Sequence, residues 1–170
     1  MKIIKMHTIA VTIVAALLTT VSASAAAPQE RDKDGKQFVS IKKSQIKWQD
    51  APSIGPGAQV AVLEGNPKTA EPFTMRIKAP ANTKIGVHTH PADEKVTILE
   101  GTLYFSTGDK YDAKKATAYN AGDAFIVPQG MSMYAFTKDK PTVIQLHGTG
   151  PWGISYLDPA DDPMKNAKKK

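Results

Sequence analysis

Hydrophobic and polar residues alternate in short runs that turn-forming residues separate, over most of the chain after position 37. Many of these runs are rich in β-branched and aromatic residues and end at Gly, Pro, Asn or Asp, a pattern typical of β-strands. The runs are 38–48, 60–65, 73–78, 84–90, 95–107, 117–128, 132–138 and 142–148. The run 95–107 predicts a hairpin that turns at Glu100 and Gly101. Without a long helical pattern, the chain is predicted to be all-β, as a β-sandwich or a jelly-roll-like barrel.

The composition is typical of one globular domain. The chain has 170 residues, of which 41% are hydrophobic and 22% charged, and this is enough to build a single core. Cysteine is absent, which excludes thiolate metal ligands, cysteine nucleophiles and zinc-finger patterns. No basic stripe interleaved with aromatic residues occurs, so nucleic acid is not predicted as a partner.

The first 25 residues have the pattern of a secretory signal peptide. Lys2 and Lys5 precede an apolar run over 9–18, and Ala23-Ser24-Ala25 resembles a cleavage site. The run is too short to span a bilayer, and no second long apolar run follows, so no membrane insertion is expected after cleavage. These features predict a periplasmic or secreted protein.

The remaining chain is predicted to divide into three parts. Residues 26–37 are expected to be a mobile N-terminal segment, and 38–160 to form the β-barrel domain. Residues 161–170 carry four lysines and are expected to be a basic, solvated tail.

The stretch "HTHPADE" places chemically active side chains close together. On a strand, His88 and His90 point to the same face, with Cα atoms about 6.6 Å apart. Pro91 interrupts the strand, and a neighbouring antiparallel strand that starts at Glu94 would bring its carboxylate beside them. Two imidazoles and one carboxylate can bind a divalent ion with positions left open. The alternatives are a helix that pairs His90 with Glu94, which the following β-branched run disfavours, and a pair of exposed strand histidines.

The spacing of these residues resembles the first motif of the cupin superfamily. That motif is His-x-His, three or four residues, Glu, six residues and Gly, and it occurs here as His88, His90, Glu94 and Gly101. A glycine that normally comes six residues before the first histidine is replaced by Asn82, which also tolerates turn conformations.

The second cupin motif is present in its backbone-shaping residues but lacks its histidine. Gly122, Pro128 and Gly130 occupy the expected positions, whereas Met133 stands at the histidine position and Thr137 at the asparagine position. The segment from 142 also resembles the end of small bacterial single-domain cupins. The resemblance implies a single-domain cupin with a jelly-roll-like β-barrel and a metal ion held inside it near one mouth.

The resemblance implies that His88, His90, Glu94 and the residue at position 133 are the metal ligands. Met133 is then filler beside a two-His, one-Glu site for Fe, Mn, Ni or Zn, or a thioether ligand in a copper site, or part of a site that has lost its metal. Met131, two residues earlier, could share its face.

The residues leave open whether the chain is an enzyme. One interpretation is a metal-dependent oxidoreductase or isomerase that acts on a small organic molecule, with Glu94 as ligand and proton-transferring catalytic residue. The other is a non-enzymatic periplasmic protein that holds copper or binds a small ligand. A homodimer is expected because cupins often pair through edge strands.

Strand periodicity predicts which other side chains face the interior. The residues expected to line it by parity with Glu94 are Val96, Ile98, Leu103 and Phe105, joined by either Phe125 and Val127 or Ala124 and Ile126. Tyr104 and Tyr134 are expected on the outer face. On the last predicted strand, Gln145 and His147 share the face opposite to an apolar one, but either could reach a barrel mouth, and His147 could act there as a ligand or as a hydrogen-bond donor to a ligand.

Overall fold

A computed structural model describes residues 38–167. The chain divides into two compact units, 1–40 and 41–170, and the architecture below is that of the second. The predicted signal peptide (1–25), the predicted mobile segment (26–37) and residues 168–170 lie outside the described residues.

Eleven β-strands lie in the described part of the second unit. They are β1 (Gln49–Asp50), β2 (Gln59–Glu64), β3 (Pro72–Ala79), β4 (Lys84–Thr89), β5 (Glu94–Glu100), β6 (Thr102–Thr107), β7 (Thr117–Asn120), β8 (Ala124–Val127), β9 (Met133–Phe136), β10 (Thr142–Thr149) and β11 (Ser155–Tyr156). Three 3₁₀ turns (Lys43–Gln45, Ala113–Lys115 and Pro159–Asp161) and one short helix, α1 (Pro163–Ala167), complete the described part of the chain.

The strands form two antiparallel sheets. The first has the order β1-β2-β3-β10-β5-β8, and the second has the order β11-β4-β9-β6-β7. Their inner faces enclose one apolar cluster that includes Phe73, Met75, Leu103 and Leu146. The prediction of an all-β jelly-roll-like barrel is therefore confirmed.

The predicted strand over 38–48 is wrong. Residues Lys43–Gln45 form a 3₁₀ turn and only Gln49–Asp50 pair with β2. Phe38 and Val39 expose 69% and 64% of their surface, so the apolar residues of this run bury little of the surface that would stabilise a strand.

The predicted hairpin over 95–107 is also wrong in its pairing, although both strands exist. β5 pairs with β10 and β8, whereas β6 pairs with β7 and β9. Gly101 has φ +77°, and a side chain there would collide with the carbonyl oxygen of Pro141. The glycine therefore turns the chain from one sheet to the other, a role that a sequence pattern does not distinguish from a tight hairpin.

The backbone features of the cupin motifs appear at the expected turns. Asn82 has φ +58°, as its replacement of a motif glycine requires. Thr137, at the asparagine position, is buried and accepts a hydrogen bond from the backbone N–H of Thr83 while its hydroxyl donates to the carbonyl of Pro80. Among the described residues, none of the helices is long and apolar enough to cross a membrane.

Candidate metal centre

His88, His90 and Glu94 lie together on the inner face where β4 ends and β5 begins. Each exposes less than a tenth of its surface: 5%, 5% and 8%, respectively. The two imidazole rings are 5.0 Å apart between centroids and nearly perpendicular. Nε2 of His90 is 3.5 Å from Oε1 of Glu94. The strand alternation thus places both histidines and the carboxylate in one buried region, and neither the helical nor the exposed alternative occurs.

Backbone carbonyls orient both histidines. Nδ1 of His88 is 2.7 Å from the carbonyl oxygen of Gly86, and Nδ1 of His90 is 2.6 Å from that of Gly153. Because a carbonyl oxygen only accepts hydrogen bonds, both Nδ1 atoms carry a proton, and in the neutral imidazole Nε2 is then the nitrogen with the lone pair. This is the tautomer in which a histidine binds a metal through Nε2.

Burial shifts the pKa values of His88 and Glu94. It lowers the pKa of His88 to about 4. The hydrogen bond to Gly86 opposes this by raising the pKa, and His90 lowers the pKa further. Burial also raises the pKa of Glu94, while His90 and a hydrogen bond from Trp152 lower it. His88 is therefore a neutral imidazole near pH 7, which is the protonation state of a metal ligand.

The donor atoms of His88, His90 and Glu94 suit a divalent ion, but the three side chains are not arranged around a common metal position. Neutral imidazoles and a carboxylate are the ligands of Zn, Fe, Ni and Mn in proteins. Over residues 38–167, however, no three His, Asp or Glu side chains stand in an arrangement that could hold a metal. The donor atoms of the predicted ligands thus suit a divalent metal ion, although the side chains are not gathered into a metal-binding arrangement.

Met133 lies next to His88 on the neighbouring strand of the same sheet. The two residues are paired in the register of β4 and β9, and Met133 exposes only 2% of its surface. It packs in the apolar cluster and lines the same cavity as the histidines. Met131 is 41% exposed and lies before the start of β9, so it does not share this site.

The cavity beside these residues has a volume of about 50 Å³. Among the predicted lining residues, Val96, Leu103, Phe105 and Phe125 contribute to it, whereas Ile98 is buried in the core next to it. Of the two alternatives for β8, the pair Phe125 and Val127 points inward, and Ala124 and Ile126 are exposed. The wall of the cavity is mostly apolar.

The two tyrosines predicted on the outer face lie there. Tyr104 stacks on Phe136, and Tyr134 is buried on the outer side of β9, where its hydroxyl donates to the carbonyl of Asp112. Neither lines the cavity with the histidines.

Gln145 and His147 are not part of this centre. They lie on the outer face of β10, where Gln145 accepts a hydrogen bond from Arg76 and contacts Nε2 of His147 at 3.0 Å. His147 is exposed and lines a separate polar groove. The apolar face of the strand, with Leu146, points to the core as predicted.

Trp152 belongs to the centre and was not predicted. Its indole stacks on the ring of His90 with centroids 5.1 Å apart, and its Nε1 donates to Oε1 of Glu94 at 3.0 Å. The sequence "GPWG" shows only a glycine- and proline-rich loop after β10. The tryptophan between Pro151 and Gly153 is the available signal, and it says nothing about which residue the ring contacts.

Comparison with known proteins places the chain in a family. A family model described as the ChrR Cupin-like domain matches residues 36–152, more than half of the chain. Two germin-like proteins of Oryza sativa subsp. japonica share part of the sequence. Germin-like protein 8-5 is 44% identical over 52 residues, or 29% of this chain and 23% of its own length. Putative germin-like protein 2-1 is 36% identical over 77 residues, or 42% and 36%. The chain thus spans about a quarter to a third of these relatives.

Solved structures share the fold. The polyketide cyclase RemF from Streptomyces resistomycificus superposes with a TM-score of 0.63 at 14% identity, over 77% of this chain and 93% of that chain. The DMSP lyase DddQ from Ruegeria pomeroyi superposes with a TM-score of 0.54 at 18% identity, over 67% and 62%. At these identities the similarity establishes the architecture alone.

Proposed function

The chain belongs to the ChrR Cupin-like domain family, and on that premise we propose that it is an exported cupin that binds one divalent metal ion. His88, His90 and Glu94 are the proposed ligands. The ion would be presented to a small organic molecule in the cavity, for oxidation or isomerisation.

The observation that carries this proposal is the orientation of the two histidines. Both Nδ1 atoms are held by backbone carbonyls, which leaves both Nε2 atoms as lone-pair donors in a buried pocket. Because the bond that one ring nitrogen makes sets which nitrogen can bind a metal, this arrangement prepares both histidines to bind one through Nε2.

The protein side chains have distinct roles in such a site. The ion, when bound, would act as a Lewis acid toward an oxygen of the small organic molecule. Glu94 would complete the ligand set and is the residue in the site best placed to accept or return a proton. The apolar wall would exclude water and hold the hydrocarbon part of the ligand.

The size of the cavity restricts the ligand. One water occupies roughly 10–15 Å³ by a comparable measure, so a cavity of about 50 Å³ holds a few non-hydrogen atoms beside the ligands. The proposed substrate is therefore a small, mostly apolar molecule with one polar group directed at His88, His90 and Glu94.

A second candidate function is copper holding without catalysis. Met133 favours it because its side chain is buried directly across the sheet from His88, where a thioether can join two imidazoles. Imidazole and thioether ligands together select Cu(I).

Metal analysis and titration test both proposals. Protein isolated from its native compartment is expected to contain about one divalent ion per chain, and metal-stripped protein to bind Zn(II). His88→Ala should weaken Zn(II) binding by more than about 100-fold, since even outer-shell changes cost about 10–100-fold. His147→Ala is the matched control and should bind like the wild type.

Three outcomes separate the proposals. Equal Zn(II) affinity of His88→Ala and the wild type would refute the metal site. Copper in the isolated protein that Met133→Leu no longer retains would support the copper-holding function instead. Absence of any metal, together with no affinity for Zn(II) or Cu(I), would leave an organic-ligand barrel as the remaining function.

A further inference from the structure

We infer that Trp152 is a positioning residue for the proposed metal centre: its indole holds the ring of His90 and the carboxylate of Glu94 in place next to each other. This inference rests on the proposed function. It concerns the segment 150–153, whose sequence is "GPWG".

The segment contacts His90 from two directions. The carbonyl oxygen of Gly153 accepts the Nδ1 proton of His90 at 2.6 Å. The indole of Trp152 lies against the face of the same imidazole, with the two ring planes only 19° from parallel. One contact fixes the tautomer of His90 and the other restricts its rotation about χ2.

The same indole occupies one oxygen of Glu94. Nε1 of Trp152 is 3.0 Å from Oε1, the oxygen that also faces Nε2 of His90. An indole has a single N–H to donate, and a carboxylate has two oxygens. A carboxylate has about four lone-pair sites, so this hydrogen bond leaves sites free on Glu94. What the indole does is hold the carboxylate plane in place beside His90.

Contacts away from the centre hold the segment in this position. The backbone N–H of Trp152 donates to the carbonyl of Pro67 at 2.6 Å, and that of Gly150 donates to the carbonyl of Glu71 at 3.0 Å. A side chain at position 150 would collide with the carbonyl oxygen of Thr69. Because the loop between β2 and β3 anchors the segment, the indole is in place before any ligand binds.

The ordinary explanation for Trp152 is that it fills space beside the cavity. Trp152→Phe separates this explanation from positioning, because phenylalanine keeps an aromatic ring against His90 and removes the N–H donor. Trp48→Phe is the matched control, since Trp48 is the other tryptophan of the chain and does not line the cavity.

Titration with Co(II), followed by its visible absorption, provides the test. Trp152→Phe is expected to bind Co(II) at least about tenfold more weakly than the wild type, with displaced absorption bands, as for loss of an outer-shell partner. Trp48→Phe should match the wild type. Unchanged affinity and spectrum in Trp152→Phe would overturn the inference, while a wild type that binds no Co(II) would overturn the proposed function and the inference with it.

A measurement on the unaltered protein guards against misfolding of the variant. In a ¹H–¹⁵N spectrum, Zn(II) should shift the indole N–H signal of Trp152 and leave that of Trp48 in place. Stoichiometric Zn(II) binding with no shift of the Trp152 signal would contradict the inference, whatever the variant does.

Discussion

The molecule carries histidines in two similar patterns with opposite surroundings. His88 and His90 alternate at the end of β4 and are buried inside the barrel. Gln145 and His147 alternate on β10 and lie on its outer face. Inside, each Nδ1 is bonded to the backbone. Outside, Nδ1 of His147 contacts the hydroxyl of Thr74 at 3.1 Å and its Nε2 contacts Gln145 at 3.0 Å.

The difference shows what suits a histidine to bind a ligand. His147 engages both ring nitrogens with neighbouring side chains, whereas the inner histidines engage one each with a carbonyl that cannot move independently. Water competes for the outer contacts and is largely excluded from the inner ones. The alternating pattern is therefore equally compatible with a metal centre and with a solvated surface chain of hydrogen bonds.

The largest effect is expected when a buried side chain on the inner face is truncated. Met133→Ala should lower the free energy of unfolding by about 2–5 kcal/mol, because it leaves a void in a packed region. Urea denaturation measures the change. Met131→Ala, at an exposed position two residues away, should change it by less than about 0.5 kcal/mol, and equal effects of the two variants would contradict the inward placement of Met133.

A smaller effect is expected from completing the inner donor set. Met133→His adds an imidazole directly across from His88 and should strengthen Zn(II) binding by about tenfold, or about 1.4 kcal/mol, as tetrahedral zinc favours a fourth ligand. Met133→Leu keeps the apolar volume and is the control for packing. Calorimetric titration would decide the matter, and equal affinities of the two variants would show that position 133 does not reach the ion.

The smallest effect is expected on the outer face. His147→Ala removes hydrogen bonds at an exposed site and should change the stability by no more than about 0.5 kcal/mol. A thermal melt monitored by circular dichroism is sufficient to measure it. A loss of stability above about 1 kcal/mol would mean that the series of side-chain hydrogen bonds from Thr74 through His147 and Gln145 to Arg76 supports the sheet. The contrast between the two faces would then disappear.

The sequence predicted most of the strands and the grouping of His88, His90 and Glu94 at one place, because strand periodicity and motif spacing are local properties. It did not predict that β5 and β6 belong to different sheets, since a glycine at a sheet-to-sheet crossing and a glycine in a hairpin have the same composition around them. Trp152 was missed for a related reason. Its partner His90 is distant in sequence, and the contact depends on how the segment 150–153 is anchored to the loop after β2.

The hydrogen bond between His90 and the carbonyl of Gly153 joins residues that are 63 positions apart. During synthesis, a chain that already contains both histidines and Glu94 still lacks the carbonyl and the indole that orient them. Until β10 and the segment after it have docked, the proposed ligand side chains lack these two contacts, so any selectivity that depends on them would arise only at that stage. If the proposed metal site is correct, an ion captured earlier would meet histidines that are not yet oriented, and the choice of ion would depend on whether folding is completed first.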